Sequence, residues 1–237
     1  MDETVLICLP FAGGGASFFR SWQPRAPRGI RVLPVQLPGR EERFAEPPLS
    51  DVALAVDEAQ AQVSAELPGR ARVALFGHSL GAVLAYELAH RLSGAVGTHV
   101  VGLFVSGSPE PWSGRRDRAG GLPDEEFVAR VQSFAGYSHA ALEDPEMREL
   151  LLPLLRSDVE MHENYRPTSD IPLDVAVTAI RGRDDGLVSA AQTTEWSRTT
   201  TVRFESAELN GGHMYLADDA DQLLKLIGTR LGLVRGR

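Results

Sequence analysis

The 237-residue chain has a single lysine, Lys225, and a single cysteine, Cys8. One cysteine excludes an internal disulfide, and its place inside the apolar run Val5-Leu6-Ile7-Cys8-Leu9 predicts a buried, inert thiol. The scarcity of lysine beside abundant arginine and alanine reads as a coding bias of a GC-rich genome rather than as chemistry. No apolar run approaches the roughly 20 residues a membrane-spanning helix needs. The opening Met1-Asp2-Glu3-Thr4 is acidic, so no basic segment precedes an apolar one as in a secretory signal, and a cytoplasmic location is expected. Positive charge is also short: the net charge of −8 argues against nucleic acid and anionic membranes as general partners. Gly13-Gly14-Gly15 is followed by neither G-x-G-x-x-G spacing nor a Walker lysine, which disfavours a phosphate cradle. No metal-ligand cluster, internal repeat, low-complexity tract or linker stands out.

Strand and helix patterns alternate, which predicts βαβ units around a mainly parallel sheet. Apolar runs predict strands at 5–9, 30–35, 73–76, 100–105, 175–180 and 202–205. Helical spacing of Val52, Val56, Ala59 and Val63 predicts a helix over 50–67, with Ser50 able to cap it and Pro68-Gly69 ending it. Further helices are predicted at 80–92 and 218–231. The stretch 110–172 breaks the alternation. It has no convincing strand and predicts helices near 124–134 and 145–165, with Pro153 breaking or kinking the second. Residues 1–237 therefore read as one α/β domain carrying a helical insertion at 110–172, placed to cover the crevice at the C-terminal ends of the strands.

The most informative residues are Gly77-His78-Ser79-Leu80-Gly81, between an apolar strand pattern and a helical one. Strand, G-x-S-x-G, helix is the setting of a nucleophile elbow, where a strained turn lifts a serine clear of the sheet. A serine hydroxyl needs a base to take its proton and an acid to orient that base. His213, in Asn210-Gly211-Gly212-His213-Met214, is the candidate base. His78, His90, His99, His139 and His162 are placed less well for that task. Asp185, three residues after Gly182 and three before Val188, is the candidate acid, with Asp184 as its rival. Both carboxylate candidates and His213 follow predicted strands, at the end of the sheet where Ser79 emerges. An oxyanion needs two preorganised backbone N–H donors. One is expected from Leu80, the other from the glycine-rich loop after the first strand.

With these residues in place, the chain resembles the type II thioesterases that accompany polyketide and nonribosomal peptide synthases. The resemblance covers nearly the whole chain. It rests on Pro10-Phe11-Ala12-Gly13-Gly14, Leu37-Pro38-Gly39-Arg40-Glu41-Glu42-Arg43, Gly77 to Gly81, Leu152-Pro153-Leu154-Leu155-Arg156-Ser157-Asp158, Tyr165, Gly182 to Val188 and Gly211-Gly212-His213. Phe11 departs from the pattern, since many relatives carry histidine there. The resemblance implies an α/β-hydrolase fold, with 110–172 as its lid and Ser79, Asp185 and His213 as nucleophile, acid and base. It implies Ala12 and Leu80 as oxyanion donors. It also implies no metal or cofactor, because the substrate is an acyl group borne on the phosphopantetheine of a partner carrier protein. A monomer is expected. The role it implies is to clear stalled or misprimed acyl groups during biosynthesis. A general carboxylesterase and a product-releasing or cyclising thioesterase are the enzymatic alternatives. A non-catalytic binding protein would call for a missing triad member, and none is missing. The charged stretch Arg40, Glu41 and Arg43 reads equally well as a solvated loop. Arg115, Arg116 and Arg118 read as a solvated loop, or as a basic patch that steers the carrier.

Overall fold

A computed structural model describes residues 3–114, 118–135 and 144–234. Six parallel strands form one sheet in the order β2-β1-β3-β4-β5-β6. They are β1 (Thr4–Leu9), β2 (Ile30–Pro34), β3 (Ala71–His78), β4 (Thr98–Ser106), β5 (Val177–Gly182) and β6 (Phe204–Leu209). Every residue of β1 is buried, as a parallel strand covered on both faces requires. Alternation along the strand sorts its side chains between two cores. Val5, Ile7 and Leu9 join Val73 and Leu75 of β3 under helices α2 (Val52–Glu66) and α3 (Leu80–Ser93). Leu6 and Cys8 join Ala74 and Phe76 on the other face. There they meet Phe19 of α1 (Ala16–Arg20), Trp22, and Leu223, Leu224 and Ile227 of α8 (Ala220–Arg230). Cys8 is fully buried, and burial pushes its thiol pKa well up.

Between β4 and β5 the described residues of 110–172 hold no strand. They hold α4 (Asp124–Ala135) and α5 (Pro145–Asn164), followed after β5 by α6 (Ala190–Glu195). A third apolar cluster joins Phe127 and Val128 of α4 to Leu152, Leu155 and Val159 of α5, and Ala12 packs against it. The chain closes with α7 (Tyr215–Asp218) and α8.

Four local expectations change. Asp51, not Ser50, caps α2, its carboxylate accepting from the Leu54 N–H at 3.1 Å. Helix α5 runs unbroken through Pro153. The proline is exposed while Leu152, Leu154 and Leu155 around it are buried. About 3 kcal/mol for an internal proline is offset by about 1.5–3 kcal/mol for each buried leucine. The closing helix divides at Asp219, whose side chain caps α8 by accepting from Gln222 N–H at 3.2 Å. Strands β5 and β6 also end later than the apolar runs predict, bringing Gly182 and Leu209 into register.

Candidate active site

Ser79 sits between β3 and α3 with φ 54° and ψ −115°. A non-glycine residue held there stores roughly 1–3 kcal/mol of strain. Its N–H is pinned to the Ser106 carbonyl at 2.8 Å. The glycines two positions away explain how strand and helix come so close. A methyl group on Gly77 would run into the Gly81 carbonyl oxygen, and one on Gly81 into the Leu9 carbonyl oxygen. The elbow is thereby wedged against the start of the loop carrying Ala12. Leu80 opens α3, so its N–H has no intrahelical acceptor and lies at the positive end of the helix.

Asp185 and His213 meet. Their loops leave β5 and β6, and Asp184 N–H donates to the Gly211 carbonyl at 2.9 Å, tying the two together. The His213 Nδ1 lies 2.9 Å from Asp185 Oδ2, and Asp185 Oδ1 accepts from the N–H groups of Leu187 at 2.8 Å and Val188 at 3.2 Å. Burial alone would raise the Asp185 pKa, but the His213 hydrogen bond and charge, with the two amides, outweigh it and hold the pKa below the ordinary value. With an ionised carboxylate as acceptor, Nδ1 carries the ring proton and Nε2 is left as a proton acceptor. Asp184 is exposed and Asp185 is buried, so it is Asp185 that orients the imidazole.

The His213 ring lies against the ring of His78, the neighbour of Ser79, with centroids 4.7 Å apart. His78 Nδ1 is 2.9 Å from Ser106 Oγ, which is 2.8 Å from Tyr215 Oη. This polar chain holds the His78 ring against which the imidazole of His213 lies. Among the described residues, the Ser79 hydroxyl forms no hydrogen bond. His90 and His162 lie on α3 and α5, His99 lies on β4, and His139 is outside the described residues.

The loop after β1 is fixed from outside. Gly13 N–H donates to Asp158 Oδ2 at 2.8 Å and Gly14 N–H to the Phe11 carbonyl at 2.8 Å, whereas Ala12 N–H has no partner among the described residues. Arg40, for which a solvated reading was open, is instead buried. Its guanidinium grips Asp158 with two bonds of 2.9 Å. Burial raises the Asp158 pKa, opposed by Arg40 and the Gly13 amide. Glu41 accepts from Ser17 N–H and Oγ, and Arg43 pairs with Glu46 and Glu58. Arg115 and Arg116 lie outside the described residues, and Arg118 pairs with Glu163 at 3.6 Å.

A cavity of about 350 Å³ opens between this loop and the helices of the insertion, walled by Phe11, Ala12, Phe18, Leu151, Leu155 and Met214. Phe11 and Phe18 meet edge to face at 5.0 Å. A larger depression of about 700 Å³ lies among Arg31, Arg70, Arg72 and His99, toward the N-terminal ends of the strands. Ligands of open parallel sheets bind at the C-terminal ends, the end at which Ser79 and His213 lie, and the smaller cavity reaches that end through Ala12 and Met214, the neighbour of His213. Two features escaped the sequence reading: the His78–Ser106–Tyr215 chain, which has no sequence signal, and the partnering of Arg40 with Asp158. The only sign of the latter was that both residues fall in stretches matching the family pattern.

A parallel sheet that presents a strained serine, with a carboxylate-held histidine at neighbouring strand ends, defines an α/β-hydrolase. The family model "Thioesterase domain" matches residues 4–231. The chain is 36% identical to the thioesterase PikA5 of Streptomyces venezuelae, over 98% of this chain and 82% of that protein. RedJ, the prodiginine-pathway thioesterase of Streptomyces coelicolor, superposes with a TM-score of 0.88 at 32% identity, covering 97% of this chain and 86% of RedJ. BorB, the type II thioesterase of the borrelidin cluster, superposes with a TM-score of 0.86 at 36% identity, covering 97% and 93%. The chain thus belongs to the thioesterase family, among the type II thioesterases of polyketide and nonribosomal peptide pathways, and is a hydrolase of thioesters.

Proposed function

We propose that the protein hydrolyses acyl thioesters from the phosphopantetheine arm of acyl or peptidyl carrier proteins, clearing stalled or misprimed groups from a synthase. The observation that carries this reading is the Asp185–His213 pair, at 2.9 Å, beside the strained Ser79 and an apolar cavity. Ser79 Oγ attacks the thioester carbonyl carbon while His213 Nε2 takes its proton. The tetrahedral oxyanion faces the N–H groups of Ala12 and Leu80. Collapse breaks the carbon–sulfur bond, and His213 gives the proton to the departing thiolate, a much weaker base and better leaving group than an alkoxide. Water, deprotonated by His213, then attacks the acyl-enzyme and releases the acid and free Ser79. Asp185 holds the productive tautomer and balances the imidazolium.

In this reading residues 1–237 form one domain, with 110–172 as a lid whose helices wall the acyl cavity. The chain acts in the cytoplasm as a monomer, without metal or cofactor, and its partner is the carrier. No helix among the described residues is long and apolar enough to cross a membrane.

The test is a panel of carrier proteins loaded with acyl groups from acetyl to medium length, set beside a nitrophenyl ester, with wild type and Ser79→Ala. Carrier-bound thioesters are expected to show the higher kcat/KM, and Ser79→Ala is expected to lose on the order of 10⁴-fold or more. Equal preference for the ester would make the protein a general esterase. Activity retained in Ser79→Ala would overturn the nucleophile assignment.

A further inference from the structure

Arg40 and Asp158 form a buried ion pair that touches neither Ser79 nor His213 in the contacts described above, yet meets the loop assigned to the oxyanion. Three segments distant in sequence converge there. Arg40 comes from the loop after β2, Asp158 from the middle of α5, and Gly13-Gly14 from the loop after β1. Asp158 is wholly buried and Arg40 nearly so. Both carboxylate oxygens of Asp158 are bound by the guanidinium, and Oδ2 also accepts the Gly13 N–H. Arg40 Nη1 donates in addition to the Gly14 carbonyl at 3.0 Å, and Nε to the Pro38 carbonyl at 3.3 Å. The pair therefore holds the N–H of Gly13 and the carbonyl of Gly14, two consecutive residues directly after Ala12.

A buried ion pair is a poor device for stability, because desolvation cancels most of its attraction and apolar replacements of similar volume are often no less stable. What a planar guanidinium on a carboxylate does supply is direction, since its donors form a rigid fork. Gly13 has φ 73°, a left-handed conformation that glycine shares with several others at similar cost, and the bond from its N–H to Asp158 narrows that freedom. The Gly13 amide is committed to α5, and the Ala12 amide before it is uncommitted.

We infer that Arg40 and Asp158 are a positioning pair that sets the oxyanion loop from helix α5, so that the direction of the Ala12 N–H depends on the seating of that helix. This rests on the triad and oxyanion reading given above. Loss of one oxyanion donor costs about 10²–10³-fold in kcat, and misplacement by about 1 Å costs about 10²-fold. Loosening the pair should thus act on the transition state more than on substrate binding.

The experiment compares Arg40→Lys, Asp158→Asn and their combination with wild type and Ser79→Ala, in the full chain, on a small acyl thioester. Arg40→Lys keeps the charge and loses the fork. Folding is checked by circular dichroism and thermal melting. Each folded single variant is expected to lose about 10- to 100-fold in kcat, with KM within about twofold. The double variant should be no worse than the poorer single by more than about threefold, as for residues acting as one unit. Wild-type kcat in the folded variants, a loss confined to KM, or losses that multiply would each overturn the inference. If the polar variants do not fold, the apolar pair Arg40→Met with Asp158→Leu, which leaves no buried charge, replaces them with the same expectation. Its failure to fold would make the pair a folding requirement and overturn the positioning role. Ser79→Ala separates the two levels: activity there defeats the triad reading, whereas an inactive Ser79→Ala beside fully active pair variants defeats only the inference.

Discussion

Replacing Asp185 by asparagine changes two atoms' chemistry and almost no volume, and its consequence can be worked from the hydrogen bonds at that side chain. Asp185 Oδ1 accepts from two backbone amides, Leu187 N at 2.8 Å and Val188 N at 3.2 Å. Those donors select the carboxamide oxygen of an asparagine, so its NH₂ group is forced toward His213. The His213 Nδ1, now 2.9 Å from a carboxylate oxygen, would then face a donor and must become an acceptor. The ring proton moves to Nε2, and the imidazole can no longer take a proton from Ser79. A serine hydrolase deprived of the correct tautomer loses about 10⁴-fold in kcat, equivalent to about 5.4 kcal/mol at 1.36 kcal/mol per tenfold. All buried groups at the site keep partners, so the melting temperature should move by only a few degrees. The assay is kcat and KM on a soluble acyl thioester for Asp185→Asn and Asp184→Asn, with thermal melting of both. Asp184 is exposed, and its variant should stay within about twofold of wild type. An Asp185→Asn enzyme within tenfold of wild type, or an Asp184→Asn enzyme equally damaged, would refute the reasoning.

Because the folded Asp185 has a pKa below its ordinary value, the unfolded chain takes up that proton more readily; the stability it contributes is complete above about pH 4 and lost as pH falls through the folded pKa. Urea midpoints measured from pH 6 down to 3 should therefore fall more steeply for wild type than for Asp185→Asn, and parallel curves would contradict this. Gly77→Ala should abolish soluble, active protein, because the added methyl meets the Gly81 backbone and not a movable side chain; a folded, active variant would show that the elbow can relax. Cys8, fully buried with a raised thiol pKa, should react with a thiol reagent only through unfolding, so a labelling rate independent of added urea would disprove its burial.

The inner strands were legible because they are covered on both faces and so read as continuous apolar runs, as β1 shows along its whole length, whereas the edge strand β6 is only partly buried and its apolar run marks it poorly. The elbow was legible because steric crowding leaves only glycine at 77 and 81. That Asp185 or Asp184 would lie near His213 was legible from strand-end placement, but which of the two carboxylates meets the imidazole turns on which side chain points inward. Neighbouring residues in a turn share composition and differ only in direction. The fate of Pro153 was hidden for a different reason. Local propensity predicts a break, and tertiary burial of its leucine neighbours overrides it. Arg40 and Asp158 were hidden most deeply, since charged residues 118 positions apart bear no local mark of being paired in the interior.

These contacts also bear on which part of the insertion can move. Helix α5 is tied to the rest of the fold at two buried points. Asp158 holds Arg40 and Gly13. Just past its C-terminal end, Glu87 of α3 accepts from Tyr165 Oη at 2.7 Å, from Thr168 N–H at 3.0 Å and from the Thr168 hydroxyl. Lifting α5 would break the Gly13 N–H bond to Asp158 and the three bonds to Glu87, each hydrogen bond to a charged group being worth about 1.5–3 kcal/mol. An open state that lifted α5 would be populated well below one part in a thousand. Helix α4 is held differently. Its ion pairs to α5, Glu125 with Arg148 and Asp124 with Arg156, have exposed carboxylates and are worth about 0–1 kcal/mol each. It also packs through Phe127 and Val128 against Leu152, Leu155 and Val159, with the Arg156 guanidinium over the Phe127 ring. Since Val131 and Gln132 of α4 also line the cavity, the proposed function expects α4 to be the wall that yields to an acyl chain while α5 holds the loop after β1. Native-state hydrogen exchange should show α4 amides exchanging at least tenfold faster than those around Asp158 in α5. Equal rates in the two helices would mean that the insertion opens as one body and that α5 is no fixed frame.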